Sequence, residues 1–211
     1  VQVSGIEKLL DPFAEMSAVS GHEGPIRAMV RSQMPAWAKK IAQTDDIGNI
    51  WLDMGPKNGT ATVFIAHMDE VGWEIKAIDE QGIVRLKKPG GVVTTAWEGQ
   101  PALLQLDKGT GAQSAATTKQ MKGVYLSRNN PTTRHPDEVN AWFGMDAASL
   151  KSAGVTVGMA MTGYKEGHRI GRYGYSSRGL DDRIGVTALL AVLKDFNPEK
   201  LDHRVIFAWS T

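Results

Sequence analysis

The tetrapeptide His67-Met68-Asp69-Glu70 gathers the residue types of hydrolytic chemistry at short spacing. It follows Thr62 to Ala66, a β-branched and apolar run that reads as a strand buried on both faces. In open α/β sheets, sites form outside the carboxyl ends of strands, so these four residues stand where chemistry is expected. Side chains two apart on extended backbone share a side, which puts His67 beside Asp69. An imidazole held by a carboxylate suits a metal ligand whose ring is fixed from behind. A polar surface turn is the competing reading of the same residues. A second acidic signal, Asp181-Asp182, stands just ahead of a helical pattern running from Ile184 to Phe196. Acids at a helix start cap free N–H groups and complement the dipole. The alternative is a carboxylate at a sheet end that bridges two cations. The two signals reinforce each other only if the fold brings residues 67 and 181 together.

Composition removes several other chemistries. Cysteine is absent, which excludes disulfide scaffolds, thiolate zinc sites, iron–sulfur clusters and cysteine nucleophiles. Gly163 to Gly179 holds Arg169, Arg172 and Arg178 but neither phosphate-loop spacing. Ser176-Ser177 lacks the setting of a nucleophile elbow. His22 falls in a turn between two helices, while His135, His168 and His203 sit in polar, surface-type contexts. The six Trp are scattered, as packing or interface residues are, and form no stacking platform. Lys plus Arg is 24 against 23 for Asp plus Glu, a formal net charge of +1, so neither nucleic acid nor an anionic membrane is an expected partner. No apolar run approaches the roughly 18 residues of a membrane helix.

The elements that must carry these residues follow from pattern. The 211 residues allow one large domain or two small ones at roughly 150 residues each. Ile6, Leu9, Leu10 and Phe13 recur at helical spacing, and Pro25 opens a second helix with Ile26, Met29 and Val30. Asp45 to Asn49 is a turn, followed by a short strand at Ile50 to Leu52. From Trp73 to Met161, strand-like runs at 73–78, 83–86, 102–106, 123–126 and 159–162 alternate with glycine and proline, including Pro89-Gly90-Gly91. That pattern predicts a small all-β barrel or sandwich. A polar mobile loop is expected at 112–120, and a short helix at 147–151. Helix 184–196, stopped by Asn197-Pro198, and strand 204–209 return to α/β text. The expected organisation is one α/β domain formed by 1–72 and 166–211, with a β domain inserted at 73–165.

The ordered motifs Ser20-Gly21-His22-Glu23, Asp46-Ile47-Gly48-Asn49, Ala66-His67-Met68-Asp69-Glu70-Val71-Gly72, Gly90-Gly91, Gly99-Gln100 and Leu180-Asp181-Asp182-Arg183-Ile184-Gly185 resemble the M42 metallo-aminopeptidases, the glutamyl and tetrahedral aminopeptidase group. The resemblance implies a metallopeptidase-type α/β catalytic domain with an inserted barrel-like domain used in assembly. It implies two divalent ions, Zn, Co or Mn, with His67 ligating one and Asp181 bridging both. Asp69 would orient His67 as the acid of the catalytic set. A cis peptide bond is expected between Asp181 and Asp182. The implied substrates are peptides, the implied state a homo-oligomer from dimer to dodecamer, and the implied location the cytoplasm, with export left open by a first residue that is Val. In this family a Glu-Glu pair, base and ligand, follows the strand that here reads Val205 to Thr211, so the base is expected outside these residues. A metal-dependent deacylase on the same scaffold and a non-catalytic assembly or binding protein are the alternatives.

Overall fold

A computed structural model describes residues 4–88, 90–91, 93–106, 119–128 and 138–211. Residues 112–118 of the expected loop, Pro89 and His135 lie outside the described residues. The chain begins with three helices, α1 (Ser4–Glu15), α2 (Gly24–Gln33) and α3 (Ala36–Ile41), followed by β1 (Gln43–Thr44), β2 (Ile50–Met54) and β3 (Ala61–His67). Leu9 and Phe13 of α1, and Ile26 and Val30 of α2, are each four apart and all buried, the stripe that spacing dictates. Pro25 stands in the first turn of α2, where its missing N–H costs no helical bond.

The next strands, β4 (Trp73–Ile78), β5 (Val84–Lys87), β6 (Pro101–Gln105), β7 (Gln120–Tyr125), β8 (Glu138–Trp142) and β9 (Ala160–Gly163), form a closed barrel, with α4 (Ala147–Ser152) between β8 and β9. The barrel order is β4-β5-β8-β7-β6-β9. Alternation aims Trp73, Ile75, Val84, Leu86, Val139 and Ala141 inward, where they meet Leu104, Tyr125 and Met161. The sequence reading had no strand at β8. Its buried face holds only Val139 and Ala141, too short an apolar signal beside Glu138 and Asn140.

The chain then forms a hairpin, β10 (His168–Ile170) and β11 (Gly174–Ser176), also unanticipated because neither strand buries an apolar face. It ends with α5 (Leu180–Asp195) and β12 (Arg204–Ser210). β12 returns to the first sheet, whose order is β1-β2-β12-β3. It runs antiparallel to β2 and parallel to β3, with Ser210 opposite His67. Val205, Phe207 and Trp209 point inward with the two-residue period of a strand, into one core with Phe13, Val186 and Leu190. The Trp209 indole N–H donates to Val186 O at 3.2 Å, tying β12 to α5.

Strand β3 departs from expectation. Thr62 to Ile65 are exposed, Ile65 to 64%, where burial on both faces was predicted. The strand ends the sheet order, and among the described residues only β12 pairs with it. An apolar run reports suitability for burial; the neighbour count decides whether burial occurs.

Candidate functional site

His67 ends β3, and the chain beyond it is held in place. Met68 N–H donates to Ser210 O at 2.6 Å, and Glu70 N–H to Ala18 O at 2.9 Å. Continued extension keeps His67 and Asp69 on one side, and His67 Nδ1 lies 2.8 Å from Asp69 Oδ1. The other Asp69 oxygen accepts the Ser20 hydroxyl at 2.5 Å. Ser20 stands in the turn between α1 and α2, which closes when Gly21 N–H donates to the Glu23 carboxylate at 2.6 Å. Burial pushes the Glu23 carboxyl up, against the hydrogen bond from Gly21. His22, in the same turn, is buried, while His168 and His203 are exposed as the sequence reading had them.

Asp181 and Asp182 have separate tasks. Both have non-helical backbone angles, and the peptide bond joining them is cis, as the family pattern predicts. Asp182 Oδ1 accepts the Gly185 N–H at 2.9 Å and so caps the regular part of α5. A Cβ at position 185 would lie 2.4 Å from that carboxylate, which would have to shift and loosen the cap. Asp181 turns the other way, with its side chain 95% exposed and Oδ1 2.8 Å from His67 Nε2. The imidazole thus lies between two carboxylates. Burial alone would lower the His67 pKa, but its bonds to Asp181 and Asp69 and their charges outweigh burial and raise it.

These groups open onto a cleft of about 580 Å³, lined by His67, Asp69 and Asp181 on one side and by Gly91, Trp97 and Gly163 from the barrel on the other. Among the described residues no group of three or more His, Cys, Asp or Glu side chains converges as a metal cage. His67 Nε2 and Asp181 Oδ1 are two convergent donors, and Asp69 lies on the far side of the ring. An imidazole and a carboxylate with no thiolate fit Zn, Co or Mn, and the ring orientation fits a ligand held from behind.

Four residues named in the sequence reading had no role at the site there. Ser20 had no marker beyond its motif. Glu70, Arg178 and Arg183 form a buried charged cluster whose first two members reach the cleft lining, with side chains 3%, 9% and 0% exposed. Arg178 pairs with Glu70 Oε1 across 108 residues of sequence, a separation no local pattern reveals. Burial, the largest influence, pulls the Arg183 guanidinium down to about 10, partly opposed by the Glu70 charge.

The sequence profile described as M42 glutamyl aminopeptidase matches residues 48–211. The candidate aminopeptidase SgcX of Escherichia coli (strain K12) is 27% identical over 205 residues, covering 95% of this chain and 54% of SgcX. The chain thus spans about half the length of that relative. Aminopeptidase APDkam598 from the archaeon Desulfurococcus kamchatkensis superposes with a TM-score of 0.82 at 23% identity, over 98% of this chain and 55% of that one. The TET1 peptidase of Pyrococcus horikoshii, described as assembling into a tetrahedron or a large octahedral shell, gives 0.79 at 26% identity, over 97% of this chain and 60% of its own. With its α/β sheet, its closed barrel, its motifs in order and a profile match over most of its length, this chain belongs to the M42 glutamyl aminopeptidase family.

Proposed function

We propose that the protein is a metal-dependent aminopeptidase that removes N-terminal residues from peptides. In this reading, residues 1–72 and 166–211 form its catalytic unit and 73–165 its inserted barrel. The observation that carries the reading is His67 held between Asp69 and Asp181 at the mouth of the cleft. His67 Nε2 would ligate one divalent ion and the Asp181 carboxylate would bridge two. Bound there, Zn, Co or Mn would supply Lewis acidity to a water and to the scissile carbonyl.

The protein's own groups do the rest. With Nδ1 given to Asp69, Nε2, which lies 2.8 Å from Asp181 Oδ1, is the ring nitrogen that would turn to an ion in place of a proton. Ser20 donates to the second oxygen of Asp69 and so fixes that carboxylate. The free amino terminus of a peptide would sit in the cleft near the metal ions and the acids, which accounts for exopeptidase action. Glu70 Oε1 accepts from both Ala18 N–H and Arg178, which argues for a structural task over that of a base. The base would be a Glu of the pair that the family pattern expects after β12. Ser210 lies opposite His67, so chain leaving β12 is delivered beside the ring. Self-assembly into a homo-oligomer and residence in the cytoplasm complete the proposal; no helix among the described residues is long and apolar enough to cross a membrane.

The full-length protein should hydrolyse aminoacyl-nitroanilides, lose that activity to a chelator and regain it with Zn, Co or Mn. His67→Ala and Asp181→Asn should each abolish the regained activity. Hydrolysis that persists after complete metal removal would overturn the reading.

A further inference from the structure

Glu70 adjoins Asp69 in sequence and lies in the wall of the cleft, yet its side chain is only 3% exposed, held by partners rather than by water. Its Oε1 accepts the Ala18 N–H at 3.0 Å and a hydrogen bond from Arg178 Nη1, with Arg183 Nη2 at 3.8 Å. The two guanidiniums reach onward. Arg178 Nη2 donates to Glu15 O, and Arg183 donates to Met68 O and, at 3.4 Å, to Met16 O. A parallel bridge between Val19 and Glu70 and the Glu70 N–H to Ala18 O bond complete the junction.

Three segments meet at this one carboxylate, and each carries a group of the site. The segment 15–20 ends in Ser20. The segment 67–70 bears His67 and Asp69. The segment 178–183 bears Asp181 between the two arginines. One buried anion faces two buried cations, so Glu70 is the counter-charge that lets both guanidiniums lie side by side out of water. Without it, two like charges would push residues 178 and 183 apart, and Asp181 lies between them.

We propose that Glu70 is a positioning residue: through Arg178 and Arg183 it sets where Asp181 stands relative to His67, without touching metal or substrate. This rests on the reading of His67 and Asp181 as metal ligands. The alternative role for a Glu beside His67 and Asp69 is the proton-accepting base, and the two roles have different signatures. A positioning residue governs how tightly the ligands hold an ion. A base governs turnover once the ion is held.

The test uses the full-length protein and Co²⁺ as probe, with affinity measured by calorimetry and by the visible absorption of the bound ion. Wild type should bind, and His67→Ala should not. If wild type and His67→Ala behave alike, the ligand reading fails and the positioning role falls with it. Given that contrast, Glu70→Gln keeps shape and the acceptor for Ala18 but removes the charge. It should weaken Co²⁺ binding about 10- to 100-fold, the range for groups that orient ligands. Saturating Co²⁺ should then restore turnover with the wild-type pH profile. Arg178→Lys keeps the charge but cannot span both Glu70 and Glu15, so it should weaken binding by a smaller factor. It serves as the decisive variant if Glu70→Gln does not fold. Unchanged Co²⁺ affinity in the variants would overturn the proposal. So would turnover that stays lost in Glu70→Gln at saturating Co²⁺, since that marks Glu70 as the base.

Discussion

Leu190→Ala set against Val192→Ala separates the inner and outer faces of α5, the helix that leads away from Asp181. Leu190 is 0% exposed, in one core cluster with Phe13, Val186 and Trp209, whereas Val192 is 51% exposed. Truncating Leu190 removes three carbons, about 2.4 kcal/mol at about 0.8 kcal/mol per buried methylene. A residual hole of about 60 Å³ adds about 1.4 kcal/mol at about 24 cal/mol per Å³. The expected loss is therefore about 4 kcal/mol, within the roughly 2–5 kcal/mol seen for such truncations. At about 2–4 °C per kcal/mol, the thermal midpoint falls by roughly 10 °C. Val192→Ala removes atoms already in water and installs a better helix former, so its change should stay within about 0.5 kcal/mol. Urea unfolding followed by circular dichroism and tryptophan fluorescence measures both variants. Equal losses would refute the assignment of faces and would mean that the Val192 side is covered in solution.

Three further outcomes follow from particular contacts. The Asp53 carboxylate accepts from Arg204 Nε and Nη2 at 3.0 and 2.9 Å and lies 2.9 Å from Lys57 Nζ; the Arg204 bond first, then that to Lys57, lowers its pKa to about 2. Its stabilisation is complete above the unfolded value of about 3.9 and is lost as pH falls through the folded one, so Asp53→Asn should flatten the loss of stability between about pH 4 and 2. An acid profile identical to wild type would exclude that contribution. Gly123→Ala would put a Cβ 2.6 Å from both the Phe143 ring and Trp142 O; the crowding should cost about 1–3 kcal/mol by urea unfolding. Asn49 Oδ1 accepts the Thr211 N–H at 2.9 Å, while its own amide donates to Asp45 at 2.7 Å. Asn49→Ala should speed hydrogen exchange at the Thr211 amide about fivefold, given about 1 kcal/mol per bond.

What was legible from sequence was local. The periodicities at Leu9–Phe13 and Ile26–Val30 translate directly into helix faces, and the glycine-punctuated middle into a β unit. The pairing of His67 with Asp69 follows from the two-residue period of extended chain. The residue types alone did not separate Asp181 from Asp182, because either acid suits a helix start; the family resemblance singled out Asp181. Only the backbone angles show that residue 182 caps α5 while residue 181 faces His67. The Glu70–Arg178–Arg183 junction was invisible because its members meet through the return of the chain after the barrel, not through spacing. Exposure of β3 was equally hidden. Its residues encode an apolar strand, while its position at the end of the sheet belongs to topology.

The barrel closes on itself, so among the described residues open strand edges remain along the β10–β11 hairpin and at the two ends of the α/β sheet. Those ends are unequal. β1 is two polar residues long, too short to template a partner, whereas β3 offers seven residues with Val63, Phe64 and Ile65 exposed. Any polypeptide that extends the sheet, whether more of the same chain or a neighbour, gains a hydrogen-bonded ladder and an apolar contact only there. It also arrives at the strand whose last residue is His67. Sheet extension and the imidazole therefore meet at the end of one strand, and an added strand running past residue 65 would come near His67.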